Sequence, residues 1–274
     1  MIRLDPDVIR DSLGETVAGR LAAFDAFQEI ASTNSYLMDR EAPAPGQFRV
    51  ALTDNQVAGR GRHGRVWQSP AGSGIALSLA YTFATPPANL AALTLAIGVG
   101  AIEALSSIGI SGVQLKWPND LVADDGKLGG ILTETQTQPD NAIKVVTGLG
   151  LNVELGPGIA SELGGAGTGR AVDLTVIADR LPSRDRLAAQ LITSLGETFV
   201  GYESSGFSAY AGRWAQCDWL RGRELSVDTA QDRVTGFGAG IDENGALLVS
   251  AASGNVRRVT SGTIVMTGRR VHPG

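Results

Sequence analysis

The sequence predicts a mixed α/β domain that ends in a small all-β unit. Three observations carry this. Apolar β-prone runs such as Phe48–Thr53 and Ile75–Phe83 alternate with helical patterns such as Asn89–Ser107. Beyond the helical patterns, five short β-prone runs follow one another, broken by Gly, Asn and Asp. At 274 residues, 43% hydrophobic, the chain suits one large domain with a small one attached. The division falls between 1–218 and 219–274.

Taken in order, Asp5-Pro6-Asp7 reads as a helix start with proline in its first turn, and Gly14 as the stop. Leu21–Ile30 is a strand, and Ser32-Thr33-Asn34 opens a short helix to Arg40. Strands follow at Phe48–Thr53 and Ile75–Phe83, on either side of a Gly/Arg loop. Asn89–Ser107 is a long helix, apolar enough on all sides to be buried, and its Gly98 and Gly100 point to close packing. Val113–Trp117, Leu128–Glu134 and Ile143–Val153 are strands. The glycine-rich run from Gly156 to Gly169 is a flexible loop, and helices occupy 183–203 and 207–215. The final β-runs are Glu224–Val227, Val234–Ile241, Ala246–Val249, Asn255–Val259 and Thr263–Met266, which read as a small β-barrel.

Composition excludes several classes. A formal charge of −5 argues against a general nucleic-acid binder, though not against a local basic pocket. The single cysteine, Cys217, allows no intramolecular disulfide and fits a reducing compartment. Only His63 and His272 are present, so a three-histidine metal site is impossible. The N-terminus has no signal-peptide core, and the longest apolar stretch, Leu90–Ile102, is short of the ~20 residues a membrane span needs. A cytoplasmic protein without membrane attachment is the expectation.

The most telling stretch is Gly59-Arg60-Gly61-Arg62-His63-Gly64-Arg65, three glycines and three arginines in seven residues. Glycine lets backbone amides approach a ligand, and arginine offers permanently charged forks for carboxylate and phosphate. The same residues spell G-x-G-x-x-G, but no helix can follow through Ser69-Pro70-Ala71-Gly72, and positions 75–84 hold no acid. A dinucleotide fingerprint needs both. Other signals are soft when taken singly. Lys116-Trp117-Pro118-Asn119-Asp120 fits a plain type I turn. Lys127-Leu128-Gly129-Gly130 fits a surface lysine entering a glycine-bulged strand, and Ser32 fits a helix N-cap.

Their conjunction is specific. Ser32–Asn34, Gln56–Trp67, Lys116–Leu121, Lys127–Leu132 and Gly148–Val153, in that order, resemble the motifs of the biotin protein ligases over residues 28–153. The resemblance extends less specifically into the C-terminal β-region. It implies a catalytic domain similar to class II aminoacyl-tRNA synthetases, with a mixed sheet, followed by an SH3-like barrel. It also implies a reaction. Biotin and ATP give biotinyl-5′-AMP and pyrophosphate, with Mg²⁺ as the expected metal, and the biotinyl group then passes to a lysine of a carboxylase's biotin carboxyl carrier domain.

The residue types suit those roles. Biotin's ring presents one carbonyl and two N–H groups that need partners once buried. Ser32, Thr33, Asn34 and Gln56 supply such groups, with Arg60, Gly61, Arg62 and Lys127 completing the biotin set. A carboxylate attacking a polyphosphate meets like charge, so the chemistry asks for cations. The ATP set is Arg60, Arg62, Arg65, Trp67, Lys116, Asn119 and Asn152, with Asp120 as the candidate for metal contact. By resemblance, Arg60 and Arg62 sit in the loop that closes over the ligands, and Lys127 holds the biotin carboxylate. Arg62 and Lys127 are taken as the rate-critical pair. His63, where the family's loop is often basic, is expected to be a solvent-exposed loop residue.

Larger family members carry a DNA-binding domain before the Ser-Thr-Asn motif. The thirty or so residues before Ser32 leave no room for one, so no DNA binding is expected. A homodimer through a sheet edge is compatible with the sequence but not specified by it. Three other readings stay open at this stage. They are a lipoate or related acyl ligase, a non-catalytic biotin sensor, and a nucleic-acid module using the Arg/Gly loop. Steep salt-dependent binding to nucleic acid would support the last.

Overall fold

The structure is a computed structural model, and it describes residues 4–156, 158–163, 169–251 and 253–270. His272 and part of the glycine-rich run lie outside the described residues.

Two short helices open the chain, α1 (Pro6–Asp11) and α2 (Glu15–Ala18). The Asp5 carboxylate accepts from the backbone amides of Asp7 and Val8, satisfying the orphan donors of the first turn of α1. Gly14, expected to be a stop, is also the N-cap of α2, a four-residue helix too short to show as a sequence period. Strand β1 (Leu21–Phe27) is followed by α3 (Thr33–Met38), whose N-cap Ser32 accepts from the amide of Ser35. Next come β2 (Phe48–Thr53), β3 (Gly74–Phe83) and α4 (Leu93–Ser107), the last entered through a single 3-10 turn at Leu90–Ala92. Strands β4 (Gln114–Lys116), β5 (Asp120–Ala123), β6 (Gly126–Thr137) and β7 (Ile143–Asn152) complete the first sheet. The Trp117–Pro118 bond between β4 and β5 is cis. Helix α5 (Ile159–Leu163) lies in the run expected to be wholly loop, so that expectation is corrected for its described part. Helices α6 (Arg184–Ser205) and α7 (Ser208–Cys217) lead to β8 (Arg223–Asp228), β9 (Arg233–Ile241), β10 (Leu247–Ser250), β11 (Val256–Val259) and β12 (Thr263–Arg270).

The first sheet has seven strands in the order β1-β2-β3-β7-β6-β5-β4, with β1 and β2 parallel and the other pairs antiparallel. The second has five antiparallel strands in the order β11-β10-β9-β8-β12. Strand β3 is buried along its whole length and explains the layering. Alternate side chains point to opposite faces. Leu77, Leu79, Tyr81 and Phe83 join the large core that includes α4 and α6 residues. Ala76, Ser78 and Ala80 face the other way, where α3 packs. Small residues on that face leave room for α3 and for a pocket beside it.

Helix α4 is the buried element its composition predicts, and it packs against α6. A methyl on Gly100 would stand 2.3 Å from Thr198 Oγ1, so glycine is what permits this approach. The stretch Leu90–Ser107 has a mean hydropathy of 1.7, yet it is the central helix of the core and 61% of it is buried there. The second sheet is not a separate bead. Leu225, Val227, Leu247 and Val249 belong to the same continuous core, and Trp117 Nε1 donates to Gly245 O at 2.9 Å.

The junction also buries a charge. Asp218 follows α7 and is 4% exposed. Its Oδ1 accepts from the Leu220 amide, while Oδ2 has no partner. Burial pushes this carboxyl up to about 6, against the pull of the Leu220 amide and of the charge and amide of Arg221. The folded state therefore binds the proton more tightly than the unfolded state, so this group lowers stability as pH rises from about 4 to 6. Asp218→Asn is expected to stabilise the protein, with a gain about 2 kcal/mol larger near pH 7.5 than near pH 4.5. Urea unfolding at the two pH values checks this, and an equal gain at both would refute it.

Candidate active site

One pocket opens on the α3 side of the sheet, between that helix, the Gly59–Arg65 loop, the β4–β5 turn and the start of β12. Thirteen of the fourteen residues singled out in the sequence line it: Ser32, Thr33, Asn34, Gln56, Arg60, Gly61, Arg62, Arg65, Trp67, Lys116, Asn119, Asp120 and Lys127. The fourteenth, Asn152, does not. It is 3% exposed, and its Nδ2 donates to Val172 O at 2.9 Å and weakly to Lys127 O. Asn152 thus braces the backbone that carries Lys127 and is placed behind the pocket wall.

The inner end of the pocket is a polar chain with a fixed direction. Ser78 Oγ donates to Asn34 Oδ1 at 2.7 Å, and Thr33 Oγ1 lies 2.7 Å from Ser78 Oγ. A hydroxyl has one proton, so Ser78, having given its own to Asn34, must accept from Thr33. Gln56 Oε1 accepts from the Thr33 backbone amide at 2.8 Å and lies 3.1 Å from Thr33 Oγ1, the longer of the two contacts open to the Thr33 proton. Asn34 Nδ2 donates to Leu132 O and Glu134 Oε2, both at 3.1 Å, which fixes its amide orientation. Thr33, Ser32 and Gln56 all line this end, so a hydroxyl acceptor stands beside a second hydroxyl and an amide that can donate. An acceptor beside donors is the complement of a carbonyl flanked by N–H groups.

The outer end is cationic. Arg60, Arg62, Arg65, Lys116 and Lys127 line it, against one lining carboxylate, Asp120. This is a positive pocket on a chain of formal charge −5. The Lys127 ammonium pairs with Asp120 Oδ1 at 2.7 Å and lies 5.7 Å over the Trp67 ring. Burial lowers the Lys116 ammonium, with Asp120 opposing and Lys127 and Arg65 adding to the effect. Burial likewise lowers Arg62, which stays charged as arginine does. Arg62 NH1 reaches Asn119 Oδ1 at 3.4 Å, and Asn119 Nδ2 is itself held by Ile131 O.

The loop is closed on itself. The Gly61 amide donates to Arg65 O at 2.7 Å, and the Trp67 amide to Gly59 O at 2.9 Å. One 3-10 turn spans Arg62–Gly64, with His63 at φ +55°, exposed as expected and lining the pocket mouth. Glycine seats the indole of Trp67. Gly130 and Gly150 are directly paired across β6 and β7, and a methyl on Gly150 would stand 2.5 Å from the ring. The sequence put Trp67 in the ATP set, and the paired glycines seat its ring in the pocket floor.

Sequence reasoning missed Ser78, Glu134, Thr263 and Ile264. Ser78 and Glu134 lie in strands whose β-pattern hid them. Thr263 and Ile264 come from the second sheet and, with Gly262 before them, lie more than a hundred residues from the rest of the lining. Among the described residues no group of three His, Cys, Asp or Glu side chains could hold a metal. Asp120 is an isolated carboxylate engaged by Lys127.

The family model for the biotin/lipoate A/B protein ligases matches residues 26–152, which hold the whole inner and most of the outer pocket. The biotin–[acetyl-CoA-carboxylase] ligase of Mycobacterium tuberculosis is 31% identical over 272 residues, covering 96% of this chain and 97% of that one. The chain belongs to the biotin protein ligase family. The bifunctional ligase/repressor BirA of Escherichia coli is 33% identical over 249 residues, 86% of this chain and 71% of BirA. The Aquifex aeolicus biotin protein ligase, solved with biotin and ATP, superposes with a TM-score of 0.73 at 26% identity, covering 91% of this chain and all of that one. The fold is therefore that of biotin protein ligases, with the mixed sheet and a second antiparallel sheet as expected.

Proposed function

We propose that this chain couples biotin to ATP and passes the biotinyl group to a lysine of a carrier domain. The observation that carries the reading is the polarity of the pocket beside α3. A urea-matching end leads to five cations in one cleft.

In this reading the biotin carbonyl accepts from Ser32 and Gln56, and a ring N–H donates to Thr33 Oγ1. The valeryl tail crosses the Trp67 side of the floor, and its carboxylate meets Lys127. A carboxylate oxygen then attacks the α-phosphorus of ATP. The α–β phosphoanhydride bond breaks, and pyrophosphate leaves with both electrons. Lys116, Arg62 and Arg65 offset the negative charge that gathers there. The amine of the carrier lysine, in its neutral form, next attacks the acyl carbon, loses a proton and expels AMP. Asn119 holds Arg62 in place, and Asn152 holds the Lys127 strand. Magnesium fits only as an ion held chiefly by the nucleotide's phosphates, with Asp120 its one carboxylate, and it would neutralise phosphate charge there.

The acceptor is a biotin carboxyl carrier domain in this reading. The net charge of −5 gives the chain no general attraction for nucleic acid. The lone thiol, Cys217, is compatible with the reducing cytoplasm. If two copies pair through a sheet edge, β1 is the edge of choice, because Leu115 in β4 already bridges Asp218. The two residue groups 1–218 and 219–274 act as catalytic and accessory units, the second supplying Thr263 and Ile264.

ATP–pyrophosphate exchange tests the reading. Exchange is expected with biotin and not with lipoate or without acid. Exchange with lipoate alone would overturn it, and biotin binding without exchange would make the protein a sensor.

A second test probes the ring end. A methyl on Gly148 would stand 2.2 Å from Asn34 Oδ1. Gly148→Ala must therefore displace Asn34 and unsettle the Thr33–Ser78 chain. Its biotin affinity is expected to fall by roughly ten- to a hundredfold, about 1.4–2.8 kcal/mol. Calorimetric titration with biotin measures it, and unchanged affinity would remove Asn34 from the pocket's design.

A further inference from the structure

Glu134 lies on β6 and is not among the residues that line the pocket. Its two oxygens are divided between two parts of the site. Oε2 accepts from Asn34 Nδ2 at 3.1 Å, at the ring end. Oε1 accepts from Arg60 NH2 at 2.6 Å, in the loop. Arg60 also donates through NH1 to Ser35 Oγ at 3.0 Å, on α3. One carboxylate thus joins the buried amide that orders the pocket floor to the arginine of the covering loop.

We propose that Glu134 is a positioning residue that latches the Gly59–Arg65 loop to the ring end of the pocket, so that loop closure and biotin binding depend on each other. The substrate side of this proposal rests on the biotin-ligase reading. The latch is needed because a loop with three glycines has many conformations when free. The backbone bonds Gly61 to Arg65 and Trp67 to Gly59 shape the loop but do not anchor its tip to the far wall. Arg62 reaches that wall only through the long contact with Asn119. Arg60–Glu134 is the short, charge-assisted bond in the set, and such bonds are the stronger ones.

Asn34 keeps a second acceptor, Leu132 O, when Glu134 is changed. Its orientation, and with it the Thr33–Ser78 polarity, therefore survives in Glu134→Gln. A glutamine has one acceptor oxygen and one amide nitrogen. It cannot accept from Asn34 and Arg60 with separate oxygens, so one partner loses its acceptor.

The test is made on the full chain, with Glu134→Gln, Arg60→Met and the double variant. In biotin-dependent pyrophosphate exchange, Glu134→Gln is expected to raise KM for biotin about tenfold while kcat at saturation stays within about twofold, the loss expected for one charge-assisted bond. Release of biotinyl-AMP should quicken by a similar factor. Trypsin should cut the free variant after Arg62 and Arg65 several-fold faster than wild type. Arg60→Met should match the faster cleavage and, because Arg60 also lines the pocket, should lose at least as much in KM, and the double variant should be no worse than Arg60→Met alone. Wild-type KM, retention and cleavage in both single variants would overturn the proposal. So would additive effects in the double variant. If Glu134→Gln fails to fold, Arg60→Met tests the same bond from a side chain that is 47% exposed. The trypsin readout needs no turnover, so wild-type protein without biotin-dependent exchange would reject the functional reading and leave the latch to be judged by cleavage alone.

Discussion

Lys127→Met is expected to lower biotin-dependent pyrophosphate exchange by about a thousandfold. Two negative groups, the biotin carboxylate and the α-phosphate, must approach to bonding distance. A cation near 4 Å at an effective dielectric of ~20 contributes about 4 kcal/mol. If that gain appears in the transition state, it is worth about three decades in rate. The ammonium of Lys127 has three donors, and Asp120 engages one of them at 2.7 Å. Methionine keeps the aliphatic stem over Trp67 but removes the charge. It also leaves Asp120 without its cation, which adds a repulsive carboxylate to a site meant for anions. Asp120→Asn in the Lys127→Met background should therefore recover activity by about tenfold. Transfer from supplied biotinyl-AMP should suffer less, because the phosphate attack is already complete. Exchange within about tenfold of wild type in Lys127→Met would show that Lys127 does not carry the charge argument.

The charges in that argument were legible in the sequence, because cations clustered in motifs are visible without coordinates. So were most elements. Helix α4 and strands β2, β3 and β7 have unbroken apolar patterns, and the five β-runs of the second sheet are set apart by turn residues. Strand β5 was not legible. Asp120–Ala123 follows a Pro-Asn turn and carries only four residues, too few for a period to show. Helix α2 failed for the same reason. The exchange of roles at Asn152 could not be read either, since a strand asparagine can face a ligand or a backbone carbonyl with equal ease. Glu134 illustrates the general limit. Its importance lies in Asn34, a hundred residues away, and Arg60, seventy-four residues away. Neither separation leaves any local trace. The contribution of Thr263 and Ile264 depends likewise on how one sheet docks against the other.

Arg62→Gly is expected to turn a retained intermediate into a released one. Arg62 opens the one-turn 3-10 segment at the loop tip and points across the pocket to Asn119 and Asp120. Its guanidinium is half-buried, so its attraction for phosphate is less screened than that of a surface arginine. Glycine removes this contact and adds conformational freedom to a segment that already holds three glycines. In the biotin-ligase reading the Arg62 fork makes charge-assisted bonds to the adenylate, each worth about 1.5–3 kcal/mol. Losing two of them corresponds to release about a hundredfold faster or more. Adenylation itself should fall less, since Lys127, Lys116 and Arg65 remain. The free mixed anhydride then meets any exposed amine before water destroys it. Labelling should spread from the carrier lysine to unrelated proteins in the same tube. Gel filtration of enzyme loaded with labelled biotin measures retention, and mass spectrometry of an added bystander protein measures the spread. Arg62→Lys, which keeps the charge but not the planar fork, should fall between glycine and wild type. A glycine variant that holds biotinyl-AMP as long as wild type would mean that the loop does not act as a lid, and that retention rests on the pocket floor alone.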